Sequence, residues 1–222
     1  MSPQLHPDTL KFLNELKQNN NKIWFDTNRV RYEAIKKQLL IVIDELIVEL
    51  TKVYPLIAGL KASESLFRIN RDIRFSKNKS PYKAHFAASI TPGGKKSPHP
   101  GFYFHIEPSG NSYLGGGVYQ PESTVLKAIR QEIDYNAKEY LQIVRNKHFV
   151  KTFGELYDEK ISGVPRGYDK TNEMLPWLRY KSFIAGIEIK DSEVMSKHFI
   201  KLAVKHYKVL IPYLKFIERS FD

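Results

Sequence analysis

Cysteine is absent from this chain of 222 residues, so it has neither a disulfide nor a metal site built on thiolates. No apolar run approaches the roughly 18 residues that a bilayer-spanning helix needs. The opening residues, MSPQLHPDTL, lack the basic and then apolar order of a signal peptide. Internal repeats, coiled-coil heptads and low-complexity tracts are also missing. These absences predict a cytoplasmic protein without a membrane partner.

Acidic side chains are scarce in one part of the chain. The formal net charge is +11, and residues 61–96 hold nine basic side chains against two acidic ones. Most of the surplus charge is therefore local. A local basic patch is typical of a protein with a polyanionic partner, either a nucleic acid or a phosphorylated ligand, although surplus charge also serves solubility alone.

The surplus lies in an arginine-rich segment, residues 66–90. Apolar side chains at alternate positions from 67 to 75 predict an extended strand. Residues 76–81 predict a loop, because they contain turn residues and a proline. Arginines and lysines around such a loop form a cradle for phosphate or carboxylate oxygens, and an acid among them can orient an arginine. The candidate anion-binding residues are Arg68, Arg71, Asp72, Arg74, Lys77, Lys79 and Lys83.

Two other interpretations of the arginine-rich segment stay open. The segment can be an edge strand whose lysines prevent aggregation between sheets. It can also be purely structural, with guanidinium groups that lock strands to helices through buried pairs with Glu33, Asp44 or other acids. Arg71 falls among the apolar residues of the predicted strand, so it needs a partner from the protein or from a ligand.

The segment FRINRDIRFSKNKSPYK also carries a family resemblance. With LNELKQNNNKIWFDTNRVRYE, GFYFHIEPSG, GGGVYQPE and VPRGYDK, it resembles the bacterial and fungal family known as domain of unknown function 2461. The resemblance covers nearly the whole chain and implies a single domain over residues 1–222. It implies no established activity, substrate or catalytic residue. The family pattern F-R-I-x-R-D-x-R-F-S-K-x-K-x-P-Y-K is matched at Phe67, Arg68, Ile69, Arg71, Asp72, Arg74, Phe75, Ser76, Lys77, Lys79, Pro81, Tyr82 and Lys83.

The middle third of the chain predicts an antiparallel meander. Strand patterns at residues 84–91, 101–107 and 111–119 are separated by Pro- and Gly-rich turns. Helical patterns precede and follow them, including a long helix at residues 22–53 and a closing helix that must bend or break at Pro212. The predicted fold is α+β, an antiparallel sheet of four or five strands packed by N-terminal and C-terminal helices.

Two histidines and an acid share the polar face of this predicted sheet. His85, His105 and Glu107 fall on adjacent strands, together with Tyr103. Such a group can ligate a metal or pass a proton. We prefer the interpretation that these are solvated residues of a half-exposed sheet, so no metal site is predicted.

Three consecutive glycines, Gly115, Gly116 and Gly117, end the third predicted strand. Because a helix follows them, their N–H groups can approach an anion at its N-terminus. A bulge or a close approach of two strands explains the glycines equally well.

The favoured function is binding of phosphate or a polyanion by the arginine-rich segment, with a nucleic acid as one candidate polyanion. The alternative is a hydrolase or transferase acting on a phosphorylated substrate, with His85 or His105 as acid or base and Glu107 beside them. A purely structural role for the arginines is the third interpretation. Neither a cofactor nor an oligomeric state follows from the sequence.

Overall fold

A computed structural model describes residues 3–221, which form ten α-helices, four β-strands and two short 3-10 turns. The strands are β1 (Phe86–Ile90), β2 (Gly101–Ile106), β3 (Ser112–Val118) and β4 (Phe183–Ile189). The N-terminal helices are α1 (Thr9–Gln18), α2 (Lys22–Thr27), α3 (Arg29–Thr51) and α4 (Ala62–Ser65). The later helices are α5 (Ser123–Tyr135), α6 (Ala137–Val144), α7 (Lys147–Phe153), α8 (Leu175–Leu178), α9 (Asp191–Val194) and α10 (Phe199–Glu218).

The four strands form one open antiparallel sheet in the order β1-β2-β3-β4. The three middle-third strands are hydrogen-bonded in chain order, which confirms the predicted meander. β4 joins from the last third of the chain and lies beside β3. The α+β fold is thus confirmed, with four strands.

One face of the sheet supplies much of the core. Its alternate residues are apolar and buried, as the two-residue period of a strand requires. α10 packs against β3, and Tyr32 on α3 stacks on Phe86 of β1, so helices from both ends of the chain cover this face. The hydroxyl of Tyr207 on α10 donates to the Tyr103 carbonyl oxygen at 2.9 Å. The core residues on this face are Phe86, Ala88, Ile90, Phe102, Phe104, Ile106, Leu114 and Val118.

The helices differ from the sequence prediction in two places. The long helix expected at residues 22–53 is interrupted at Asn28. A second asparagine, Asn136, separates α5 from α6. Asparagine side chains compete with helical hydrogen bonding, and that of Asn28 donates to the Trp24 carbonyl oxygen at 3.0 Å. Of the bend or break expected at Pro212, the break does not occur, because α10 continues through this residue to Glu218.

Arg31 on α3 clamps the N-terminal helix to the rest of the fold. Its guanidinium donates to both carboxylate oxygens of Asp8, at 2.8 and 3.1 Å, and to Glu15 on α1 at 2.7 Å. The hydrogen bond from Arg31 lowers the pKa of the Asp8 carboxyl, and burial opposes that shift. These half-buried, charge-assisted contacts are stronger than exposed ion pairs.

Arg31→Met is expected to lower the free energy of unfolding by about 2 kcal/mol at neutral pH, since it removes several charged hydrogen bonds. The pKa of Asp8 is below its usual value in the folded state. The stability that the ionised Asp8 carboxylate gives to the folded state is therefore present above about pH 4. It is lost as the pH falls through the pKa of Asp8 in the folded state. Urea unfolding at several pH values measures both effects. The matched control is Arg29→Met, which breaks an exposed pair with Asp26 and should change stability little. Equal losses in the two variants would contradict the clamp.

Across residues 3–221, every helix is either too short or too polar to cross a membrane.

Candidate functional site

The arginine-rich segment folds as an irregular hairpin at the outer edge of β1. Its two arms, residues 66–71 and 81–83, are joined by hydrogen bonds from Arg71 N–H to the Pro81 carbonyl at 2.8 Å and from Lys83 N–H to the Ile69 carbonyl at 2.8 Å. Only isolated bridges form, at Leu66 and Asn70. Pro81 has no N–H, so it cannot donate a backbone hydrogen bond to the opposite arm. This helps to prevent a regular β-ladder between the two arms. The strand predicted at residues 67–75 is therefore wrong; we call residues 66–83 the basic hairpin.

The base of the basic hairpin is anchored to the N-terminal helices. Asn20 uses its side-chain amide like a strand partner, donating to the Tyr82 carbonyl and accepting from the Tyr82 N–H, each at 3.0 Å. The Tyr82 ring also stacks on Phe25, with centroids 4.0 Å apart. Asn20 and Tyr82, 62 positions apart in sequence, thus hold the hairpin in place. No local sequence pattern predicts this contact.

Most cations of the basic hairpin lack an acidic partner. The Arg74 guanidinium donates to both carboxylate oxygens of Asp72, at 2.7 and 3.0 Å, and this pair is exposed. Asp72 is the single acid of the hairpin, so it is not available to the other cations. Arg71 is half-buried and donates to the Ser80 carbonyl and the Ser76 hydroxyl, both at 3.3 Å. Within residues 3–221, no carboxylate lies within ion-pair distance of the remaining hairpin cations or of Arg71. These cations, unpaired in the sense that no acid partners them, are Arg68, Arg71, Lys77, Lys79 and Lys83. The Lys79 ammonium donates to the Ile73 carbonyl oxygen at 3.1 Å.

The predicted structural pairs of the arginines with Glu33 and Asp44 are wrong. Glu33 lies 3.5 Å from Lys36 on its own helix, and Asp44 accepts a hydrogen bond from Ala62 N–H at 3.0 Å. Asp44 therefore serves the start of α4. A structural role for Arg71 remains, but it acts within the hairpin loop.

Phe75 at the tip of the basic hairpin is 96% exposed. Sequence alternation placed it on an apolar strand face, which is wrong because the hairpin turns away from the core before this residue. The Arg74 guanidinium lies 5.9 Å from the ring centroid. An exposed aromatic ring beside a cation offers a stacking surface.

His85, His105 and Glu107 meet at the base of the hairpin, on the sheet face opposite α10. His105 Nε2 lies 2.9 Å from Glu107 Oε2, and the rings of the two histidines are 4.2 Å apart. His105 is buried and its ring stacks on Tyr113 at 4.9 Å. The preferred interpretation of these residues as solvated is therefore wrong for His105.

Burial sets the protonation of the groups around this cluster. It is the main cause that lowers the pKa of His85 to about 4, with repulsion from His105 and Lys83 adding to it. Burial and then repulsion from Arg68 lower the pKa of the Lys83 ammonium. Burial likewise raises the pKa of the Tyr113 phenol. His85 is therefore a neutral imidazole at pH 7, close to Lys83 of the basic hairpin.

Gly115, Gly116 and Gly117 lie inside β3, paired with β2 on one side and β4 on the other. The following helix, α5, begins only at Ser123. A Cβ atom on any of the three would collide with neighbouring backbone. The close approach of strands explains the glycine run, and nothing in this placement supports the anion-donor role.

Three contacts of the site were missed from the sequence. Asn20 anchors the hairpin, Tyr113 stacks on His105, and Lys17 Nζ lies 3.7 Å from Glu107 Oε1. Tyr113 could have been found from the strand register, since it pairs with His105 across β2 and β3. Asn20 and Lys17 carry no such signal, because their contacts depend on how the N-terminal helices pack.

A family model described as "Conserved hypothetical protein (DUF2461)" matches residues 8–216. The chain belongs to this family. The match spans almost the whole chain and confirms the family resemblance of the motifs. Comparisons with curated proteins and with solved structures give no match. Membership of the DUF2461 family thus assigns no activity, and function is argued from the site itself.

Proposed function

We propose that this DUF2461 protein binds a phosphate-bearing ligand on its basic hairpin. The observation that carries the proposal is the set of five hairpin cations without an acidic partner. An unneutralised cluster on an exposed hairpin attracts anions, and arginine and lysine are the usual partners of phosphate oxygens. A cytoplasmic location is part of the same proposal.

A single-stranded nucleic acid is the form of this ligand that the hairpin suits best. Proteins that bind single strands combine cations along the backbone with aromatic rings on which bases stack. The basic hairpin offers both, because Phe75 is exposed between Arg74 and Lys77. A small phosphorylated molecule would use the same cations but would not need the ring.

The test is fluorescence anisotropy of labelled single-stranded DNA, single-stranded RNA and duplex DNA, titrated with the full-length protein. Unlabelled tripolyphosphate is added as a competitor. Saturable binding at about 0.15 M salt is expected, tightest for a single strand. Competition by tripolyphosphate without oligonucleotide preference would indicate a small phosphorylated ligand. Absence of saturable binding to all three oligonucleotides would overturn the proposal.

Phe75→Ala is expected to weaken single-strand binding by about 5- to 100-fold, because one base loses its stacking partner. Thermal stability should not change, since the ring contributes nothing to the core. The control is Phe75→Trp, which keeps an aromatic surface and should retain affinity. Unchanged binding by Phe75→Ala would remove the ring from the site.

A hydrolase or transferase acting on a phosphorylated substrate is the second candidate function. It is favoured by the contact of His105 with Glu107, since a carboxylate that orients an imidazole is typical of a general base. Lys83 lies close enough to repel the proton of His85, and could hold a phosphate there. Release of p-nitrophenol from p-nitrophenyl phosphate, abolished by His105→Ala, would support this function.

A further inference from the structure

Strand register brings His85, His105 and Glu107 to one side of the sheet. β1 and β2 pair up to Phe86 and Ile106, so His85 and Glu107 face each other one step beyond that pair. His105 and Glu107 are two residues apart in sequence, so both side chains leave the same face. A histidine from one chain segment thus meets a His-x-Glu pair from the next.

The donor atoms of the three side chains converge. The ligand nitrogen or oxygen atoms offered by His85, His105 and Glu107 all lie within 4.8 Å of one another. Bonds of about 2.0–2.2 Å from nitrogen and carboxylate oxygen to a divalent ion place neighbouring ligand atoms roughly 3–4 Å apart. Small side-chain rotations would therefore close the three groups around one ion.

The chemistry of the donors selects a class of ion. Two imidazoles and one carboxylate suit zinc and other divalent first-row transition metals, and three protein ligands leave a coordination position open. Calcium and magnesium prefer sites made of oxygen. Among residues 3–221, this is the group of three or more histidines and acids whose donor atoms meet closely enough to hold a metal.

Surrounding contacts hold the His105 ring, and the backbone that carries Glu107, in place before any ion arrives. His105 is only 9% exposed and its ring lies flat against Tyr113. The Glu107 N–H donates to Ser112 Oγ at 3.0 Å, and that hydroxyl donates back to the Glu107 carbonyl at 2.9 Å. Fixed ligands of this kind are what separate a metal site from a chance surface cluster.

We propose that His85, His105 and Glu107 bind a divalent transition-metal ion of the zinc class, with at least one coordination position left open. The three metal ligands include none of the five hairpin cations, although Lys83 lies near His85. Either proposal can therefore fail without the other.

Isothermal titration of the untagged, chelator-treated protein with zinc chloride tests the site, and cobalt chloride adds an absorption spectrum as a second readout. One equivalent is expected to bind, with a blue cobalt spectrum typical of nitrogen and oxygen ligands. His85→Ala and Glu107→Gln should each weaken zinc binding at least tenfold, and the double variant should lose the saturable phase. Glu107→Gln keeps the shape of the side chain, so it tests the site even if His85→Ala fails to fold.

The matched control is His148→Ala, which removes an exposed histidine on α7 and should bind zinc like the wild type. Circular dichroism confirms that each variant is folded. Failure of the wild type to bind zinc or cobalt saturably would overturn the proposal. Wild-type affinity in both His85→Ala and Glu107→Gln would do the same.

Discussion

Gly117→Ala is expected to destabilise the protein by about 3 kcal/mol or more, as the sum of backbone strain and overpacking. Gly117 has a φ of 127°, in the region that favours glycine. A Cβ there would overlap the carbonyl oxygen of Phe183 on β4 and lie 3.0 Å from its carbonyl carbon. Because those atoms belong to the backbone of a paired strand, they cannot move aside without breaking the β3–β4 ladder.

Urea unfolding followed by circular dichroism measures this loss. Gly163→Ala is the matched control, because Gly163 is exposed and a Cβ there would meet no atom within 4 Å. That variant should change the free energy of unfolding by less than about 0.5 kcal/mol. Equal stability of the Gly117→Ala variant and the wild type would show that β3 and β4 are not as close as described.

Neutralising the basic hairpin is expected to weaken single-strand binding on the order of 10²-fold at about 0.1 M salt. The variant replaces four cations with glutamine: Arg68, Lys77, Lys79 and Lys83. Arg71 is left in place because it holds the loop through Ser76 and Ser80, and Arg74 because Asp72 already neutralises it. The loss follows from the counterions that four phosphate contacts would release.

A second cluster of lysines provides a control with the same change in net charge. Lys197, Lys201, Lys205 and Lys208 are exposed on and just before α10. The sequence favours a solvated role for them, as for most charged faces of amphipathic helices. Their replacement by glutamine should leave affinity within about threefold, because long-range effects of charge are screened by salt. A similar loss in both variants would mean that only net charge matters.

Sequence patterns predicted the sheet well because its residues follow local rules. Apolar and polar side chains alternate along β2, and β3 contains the glycine run. Pro- and Gly-rich turns before and after β2 make an antiparallel meander the simplest arrangement. The family motif identified the basic hairpin as the segment of interest. The hairpin's conformation could not be predicted in the same way, since alternation at residues 67–75 imitates a strand although the chain turns back at the loop.

The candidate site could be predicted only in part, because it depends on register and on distant packing. His85, His105 and Glu107 were placed on one face from strand alternation, but their burial was not foreseen. The rings of Tyr113 on the next strand and of His85 lie against His105 and cover it. The exposure of Phe75 likewise follows from the hairpin's path, which no local pattern determines.

The salt dependence of single-strand binding tests the central claim most directly. Affinity is measured by anisotropy at several salt concentrations for the wild type, the hairpin variant and the α10 control. Each phosphate contact contributes about −0.7 to the slope of log affinity against log salt. We expect a shallower slope for the hairpin variant, by up to about 3, and a wild-type slope for the control. A hairpin variant with the wild-type slope would contradict the basic hairpin as the binding site.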